Sequence, residues 1–345
     1  DAYLLLILEK LKKKDFKKAS IYINNAINLR DLDKFNSAVL ENLKQYTYVF
    51  KENRIPNNKT NFGKLSNISE TFQRCYLGYE DTDDYFSNLI NDKEANYTRY
   101  IYFYLSYLIE NDRIIDAKKI TKDLEYINTT LLLSQGKSWI ESENSKKLKD
   151  FFSCKNSDDL IGEFLFLISN LYSSQDNFER SNFYLYLSNF LNPKFVFNLS
   201  LVVENQYLNG EYKKVKKTLK KFKKEYNFYY WYRIKKETKI IAKEKNDVDS
   251  LDYIKEVFDK IDDPNEKILF DIANFYKSSK KYEEAIKYYS KIINSLDVTS
   301  KVKSDLLYRR GSCYERIGKN KNSDKDLLYS LKINPEEAYV LNYLA

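Results

Sequence analysis

The chain of 345 residues is 43% hydrophobic and 31% charged, with a formal charge of +8, so it holds enough apolar material for a large core. It contains no histidine, which excludes serine-histidine-aspartate triads, HExxH zinc sites and Cys2His2 fingers, because each needs imidazole as base or ligand. The seven glycines stand at 63, 78, 136, 162, 210, 311 and 318 and never approach the spacing of a P-loop or a dinucleotide fingerprint.

No apolar stretch reaches the roughly 18 residues of a membrane span; the longest candidate, 100–109, is short and rich in tyrosine. The sequence opens at Asp1 without methionine or a basic-then-apolar leader, the expectation being a removed leader or missing upstream residues. Cys75, Cys154 and Cys313 form neither a ligand-like cluster nor a dense disulfide framework and read as core thiols, favouring a reducing compartment without excluding the periplasm.

Taken in chain order, residues 1–30 present Leu6, Phe16, Ala19, Ile23 and Ala26 at helical spacing, and 31–97 read as divergent helices with polar loops such as 53–59. Residues 98–127 place Ile101, Tyr104, Leu105 and Leu108 at offsets zero, three, four and seven, followed by Ala117 and Leu124. Those offsets put side chains on one helical face. Residues 128–161 are again divergent.

From 162 a unit of about 34 residues recurs. Residues 162–195 read Leu165, Ile168, Ser169 and Tyr172, then Ser181, Leu185 and Ser188, closed by Pro193; 196–229 read Leu199, Val202 and Val203, a turn at Gly210, then Val215, Leu219 and Phe222. The looser 230–265 carries Trp231, Ile234 and Ile241, then Leu251, Ile254 and Phe258, and ends at Pro264. Residues 266–303 show Leu269, Ile272, Ala273 and Tyr276, a polar break at 277–281, then Tyr282, Ala285, Tyr289 and Ile292. Residues 304–337 give Leu307, Arg310, Gly311 and Tyr314, Gly318 in the turn, then Ser323, Leu327 and Pro335. Small residues such as Ser169, Ala273, Gly311, Ser181 and Ala285 let neighbouring helices approach, and the prolines sit where a missing backbone donor costs least. Residues 338–345, with Leu341, Leu344 and Ala345, look like the opening of another first helix, so the natural protein is expected to continue.

This pattern resembles the tetratricopeptide repeat, W-x2-L-G-x2-Y followed by A-x3-F and a boundary proline, of a bacterial type. Arg310 departs from the family's leucine, Ser323 from its alanine and Val203 from its small residue. The resemblance implies an all-α, right-handed α-solenoid of stacked helix-turn-helix repeats, irregular over 1–161 and regular over 162–337. It further implies a binding scaffold, not an enzyme, with no cofactor or metal and with a protein or peptide partner of unknown identity in the concave groove. Outward positions of the first helices would be Phe166, Asn170, Tyr207, Lys267, Phe270, Asn274, Lys277 and Tyr308. There an amide bonds a peptide backbone, lysines meet carboxylates and aromatic rings grip side chains.

Two other readings compete. Eight lysines over 213–224, interleaved with Val215, Leu219 and Phe222, describe either an amphipathic helix or a phosphate or acidic-partner patch. RNA binding through the repeats would need a basic stripe crossing several units, and a regulatory arm of a longer enzyme is the third reading. Carboxylate pairs such as Asp83 and Asp84, Asp158 and Asp159, Asp262 and Asp263, and Glu336 and Glu337 fit loops and helix N-termini better than catalysis. The compartment, bacterial cytoplasm or periplasm, is left open.

Overall fold

A computed structural model describes residues 1–29, 33–57, 63–92, 98–295, 301–336 and 340–342. Among these, every regular element is helical: nineteen α-helices and two short 3-10 turns. Most consecutive helices within each unit pack against each other, as the all-α repeat solenoid requires. Leu344, Ala345, Glu337 and the end of the 53–59 loop lie outside the described residues; Val340 is buried and Leu341 exposed.

The chain divides into two compact units, one of residues 1–122 and 130–223, the other of 123–129 and 224–345. The first contains α1 (Ala2–Lys12), α2 (Phe16–Ile27), α3 (Lys34–Glu52), α4 (Lys64–Leu77), α5 (Thr82–Asn91), α6 (Thr98–Glu110) and α7 (Ile114–Lys122). It continues with α8 (Leu131–Glu141), α9 (Lys146–Phe151), α10 (Ser157–Ser173), α11 (Phe178–Leu191), α12 (Leu199–Leu208) and α13 (Tyr212–Leu219). The second has a 3-10 turn, Tyr126–Asn128, then α14 (Asn227–Glu244), α15 (Asp247–Phe258), α16 (Glu266–Ser278), α17 (Tyr282–Ser295), α18 (Lys301–Arg316) and α19 (Asn320–Ile333).

One turn geometry recurs in six hairpins. The residue two places before the second helix takes a positive φ: Lys14 57°, Asp112 58°, Asp176 57°, Gly210 71°, Lys280 59° and Gly318 73°. The N–H of the next residue then reaches back five positions, from Asp15 to Lys10, Arg113 to Leu108, Asn177 to Tyr172, Glu211 to Gln206, Lys281 to Tyr276 and Lys319 to Tyr314, over 2.8 to 3.0 Å. This is the Schellman closure of a helix C-terminus, which satisfies a carbonyl the helix leaves orphaned. In three of these hairpins the accepting carbonyl belongs to the tyrosine that ends the first-helix pattern, so motif and turn share one register. The same closure at Lys10 and Leu108 extends that register into the irregular half.

The second unit shows how the pattern packs. Ile272, Ala273 and Tyr276 of α16 and Ala285, Tyr289 and Ile292 of α17 join one buried cluster with Trp231, Ile254, Leu307 and Cys313. A Cβ on Gly311 would meet Leu327 Cγ at 3.2 Å, tighter than ordinary carbon contact, so the small residue is needed for the α18–α19 approach. The departure at Arg310 has a structural reason. Its guanidinium grips Asp326 with two bonds of 2.7 Å and donates to Ser290 Oγ at 2.9 Å, a bidentate pair where the family places leucine.

In the first unit, α1 buries Leu4, Ile7, Leu8 and Leu11 but leaves Leu6 41% exposed, so Leu6 is not a core residue as its spacing suggested. The cysteine reading holds only for Cys313, which is free and buried. Cys75 of α4 and Cys154, ahead of α10, form a disulfide with Cα atoms 5.8 Å apart, inside the usual range. A wide separation along the chain hid a pairing made in space. With it goes the argument for a reducing compartment, since structural disulfides persist where the surroundings are oxidising.

Asp158 and Asp159 occupy the first turn of α10, as helix polarity favours, yet both are buried. Asp158 pairs with Lys14 at 2.6 Å and Lys12 at 3.3 Å. Asp159 accepts from the Ser153 N–H at 2.9 Å and Asn156 Nδ2 at 3.1 Å. Burial, with the charge of Asp158 adding, pushes the Asp159 carboxyl up to about 7 despite those bonds. A carboxyl raised in the folded state contributes stability that is complete below its ordinary value of 3.8 and is lost as pH rises through about 7. The melting temperature should therefore fall more between pH 5 and pH 8 in the wild type than in Asp159→Asn, measured by circular dichroism in matched buffers. Equal slopes would remove Asp159 from the pH response.

Candidate functional site

The best-furnished surface lies in the second unit, where α16 faces α18. On α16, Phe270, Asn274 and Lys277 follow at spacings of four and three, on one face, and all three are half-buried. One repeat further along, α18 supplies Tyr308, Arg309 and Ser312. Lys277 Nζ donates to Ser312 Oγ at 2.7 Å and lies 5.7 Å from the centre of the Tyr308 ring. Ser312 Oγ in turn donates to the carbonyl of Arg309 at 2.8 Å.

Asn274 is held from both sides. Its Oδ1 accepts from Tyr289 Oη at 2.7 Å and from Arg309 Nη1 at 3.3 Å, which fixes the amide plane. The guanidinium of Arg309 lies 5.2 Å from the Phe270 ring and donates through Nε to Asp305 Oδ2 at 2.8 Å.

These bonds leave donors in hand. Among the described residues, Asn274 Nδ2 and Arg309 Nη2 have no partner, and an ammonium has three donors, of which Lys277 spends one here. Burial holds the Lys277 ammonium below the usual lysine value, so a carboxylate arriving beside it relieves a cost already present in the empty site. The face offers N–H groups to oxygen acceptors and two aromatic rings to apolar groups.

The structure brings together Phe270, Asn274, Lys277 and Tyr308 of the eight positions expected to face outward. Asn170 is exposed and Tyr207 half-buried against Tyr212, with ring centres 5.5 Å apart, both in the first unit. Two positions do not stand outward. Phe166 is 8% exposed and lies under the Arg99 guanidinium at 3.9 Å, because the facing elements cover that part of α10. Lys267 turns inward and donates to the carbonyls of Tyr126, Ile127 and Thr129 at 3.1, 3.4 and 2.8 Å, tying down the 3-10 turn.

Arg309 and Ser312 were not picked out from the sequence, and Tyr289 was read there only as a repeat-face residue, yet all three orient the site. Two spacings in the sequence bear on Arg309 and Ser312. Asn274 pairs with Arg309, and Lys277 with Ser312, each across 35 residues, one repeat length. Asp305 and Arg309 stand at the spacing of a helical ion pair.

Over 213–224 the three apolar residues are buried and all eight lysines exposed, but the amphipathic helix expected there ends at Leu219: Val215 and Leu219 share its inner face, and Phe222 is buried from the turn that follows. Among the described residues no cluster of histidine, cysteine, aspartate or glutamate has metal-holding geometry. No described helix is long and apolar enough to cross a membrane.

Helical hairpins that share one turn register define a helical-repeat protein. The family model for the tetratricopeptide repeat matches residues 266–295, the α16–α17 hairpin. Residues 266–295 are therefore a tetratricopeptide repeat within this helical array. No curated protein matches it.

Proposed function

We propose that the protein is a non-catalytic scaffold that holds an extended segment of a partner protein against the α16–α18 face, with carboxylates or backbone carbonyls of that segment taken up by Asn274, Lys277 and Arg309. One observation carries this reading: three donors converge there with hydrogen bonds unspent, on side chains already oriented by Tyr289, Asp305 and Ser312. Pre-set donors cost little to order on binding. Aromatic and arginine side chains are the types that anchor protein interfaces.

The test is affinity capture from the source lysate, with and without nuclease and at two salt concentrations, using wild type, Asn274→Ala and Lys277→Gln. A discrete protein retained by the wild type after nuclease treatment should bind each variant about tenfold more weakly, the scale of one hydrogen bond to a charged group. Circular dichroism should show both variants folded. A captured protein bound equally by all three chains would rule out this face. RNA recovered with steep salt dependence would favour the nucleic-acid reading instead.

A further inference from the structure

Two stretches of the first unit are rich in lysine, and they differ in what surrounds them. Around the α1–α2 turn carboxylates answer the charge: Glu9 pairs with Lys13, Asp15 with Lys18, and Asp158 with Lys12 and Lys14. On α13 they do not. Lys214 meets Glu211 at 2.8 Å, but Lys213, Lys217, Lys220 and Lys221 are exposed and have no carboxylate partner among the described residues. The first three follow at spacings of four and three, opposite the buried Val215 and Leu219, and so form one outward row.

An apolar surface lies beside this helix. Tyr186 and Phe190, one turn apart on α11, are each about half exposed. Hydrogen bonds tie Tyr186 to α13: Gln206 Nε2 donates to its Oη at 3.4 Å, and Thr218 Oγ1 donates to Gln206 Oε1 at 3.1 Å. Lys214 and Thr218 share one side of α13, the side that meets this ring. One turn further along α11, Lys12 of α1 reaches across: its Nζ lies 5.9 Å from the Phe190 ring centre and donates to the Leu191 carbonyl at 2.6 Å. Leu5, two turns before Lys12 on the same face of α1, is also about half exposed. Clustered apolar side chains in solvent mark an interaction surface.

The charge selects the occupant. A second copy of this chain is a poor one, because two such lysine rows repel. A specifically held acidic segment needs oriented donors like those beside Asn274, and nothing orients these lysine stems. Nucleic acid suits lysines and exposed rings, but the Cys75–Cys154 bridge belongs to oxidising surroundings, where lipid headgroups are the abundant polyanion. Lysine is a hydrated point charge that needs only a plane of negative charge, and tyrosine and phenylalanine settle between headgroups and acyl chains.

We infer that this face of the first unit docks on an anionic membrane surface, with the lysine row drawn to headgroup phosphates and Tyr186 and Phe190 entering the interface. The site is separate from the α16–α18 face and stands or falls independently of it.

Flotation of the full chain with vesicles of phosphatidylcholine, alone or mixed with phosphatidylglycerol, compares the wild type with variants checked for folding by circular dichroism. Lys213→Gln, Lys217→Gln and Lys220→Gln together remove the row; Lys255→Gln, Lys260→Gln and Lys325→Gln remove the same charge from the second unit; Tyr186→Ser with Phe190→Ser removes the rings. The wild type should bind the mixed vesicles alone and release as salt rises. Loss of the row should weaken binding about a hundredfold, at roughly fivefold per lysine, and loss of the rings about tenfold. The second-unit variant should stay close to wild type. The inference is overturned if the wild type binds both vesicle types alike or neither, if the two lysine variants bind alike, or if removing the rings changes nothing. It is equally overturned if the row holds oligouridylate or polyglutamate more tightly than the mixed vesicles.

Discussion

Replacing Cys75 and Cys154 together by alanine should lower the stability of the first unit by about 4.5 kcal/mol, the loop-closure value for a cross-link spanning 79 residues. The bridge ties the last turn of α4 to the segment ahead of α10, elements otherwise joined only by packing, so its loss frees the denatured chain far more than it disturbs the folded one. In a unit of this size the melting temperature should drop by about 10 °C or more. Adding a reductant to the wild type should reproduce most of that shift. Thiol titration of the unfolded, unreduced chain should find Cys313 alone, and three thiols after reduction. Three thiols before reduction would contradict the bridge.

Removing Arg99 should have an effect of similar size by a different route. Glu163 of α10 has a side chain only 1% exposed and accepts two bonds from Arg99, of 2.7 and 2.6 Å. Arg99 also donates to Asn198 Oδ1 at 2.8 Å and lies within 6 Å of Phe103, Phe166, Phe195 and Phe197, the nearest ring being 3.9 Å away. Arg99→Ala strands a carboxylate in this apolar surround, which costs about 3–5 kcal/mol. Burial raises the Glu163 pKa and Arg99 opposes that rise. Without the arginine the carboxyl climbs further, and a raised carboxyl loses its stabilising contribution as pH increases. The deficit in Arg99→Ala should therefore be largest at alkaline pH and shrink toward pH 5, read from urea midpoints across that range. Replacing both partners, Arg99→Met with Glu163→Leu, should recover most of the loss. A deficit independent of pH and unrelieved by the double change would assign the role of Arg99 to packing alone.

Much of the second unit was legible in the sequence, because its repeats obey local rules. Ile272, Ala273 and Tyr276 share a face by helical spacing, and Gly318 marks a turn that needs a positive φ, as Gly210 does in the first unit. The equivalent turns at Lys14, Asp112, Asp176 and Lys280 use residues that tolerate this conformation only at a cost, so nothing in their identity signals a turn. That disguises the turns at Lys14 and Asp112, where the apolar pattern is also irregular. Leu6 illustrates the same limit from the other side: its spacing is correct for the pattern, but its burial depends on what covers the helix.

The candidate site divides in the same way. Helical geometry alone puts Phe270, Asn274 and Lys277 in one row, since spacings of four and three are dictated by the turn of the helix. Which outward residue stays outward depends on partners distant in sequence. Phe166 is covered by Arg99, Lys267 is drawn to the carbonyls of a turn some 140 residues earlier, and Cys75 meets Cys154. Charge composition and the absence of histidine set the chemistry by themselves. The unspent donor of Asn274, the buried acids Asp159 and Glu163, and the disulfide were decided only in three dimensions, because hydrogen bonding and desolvation depend on distances that periodicity does not encode.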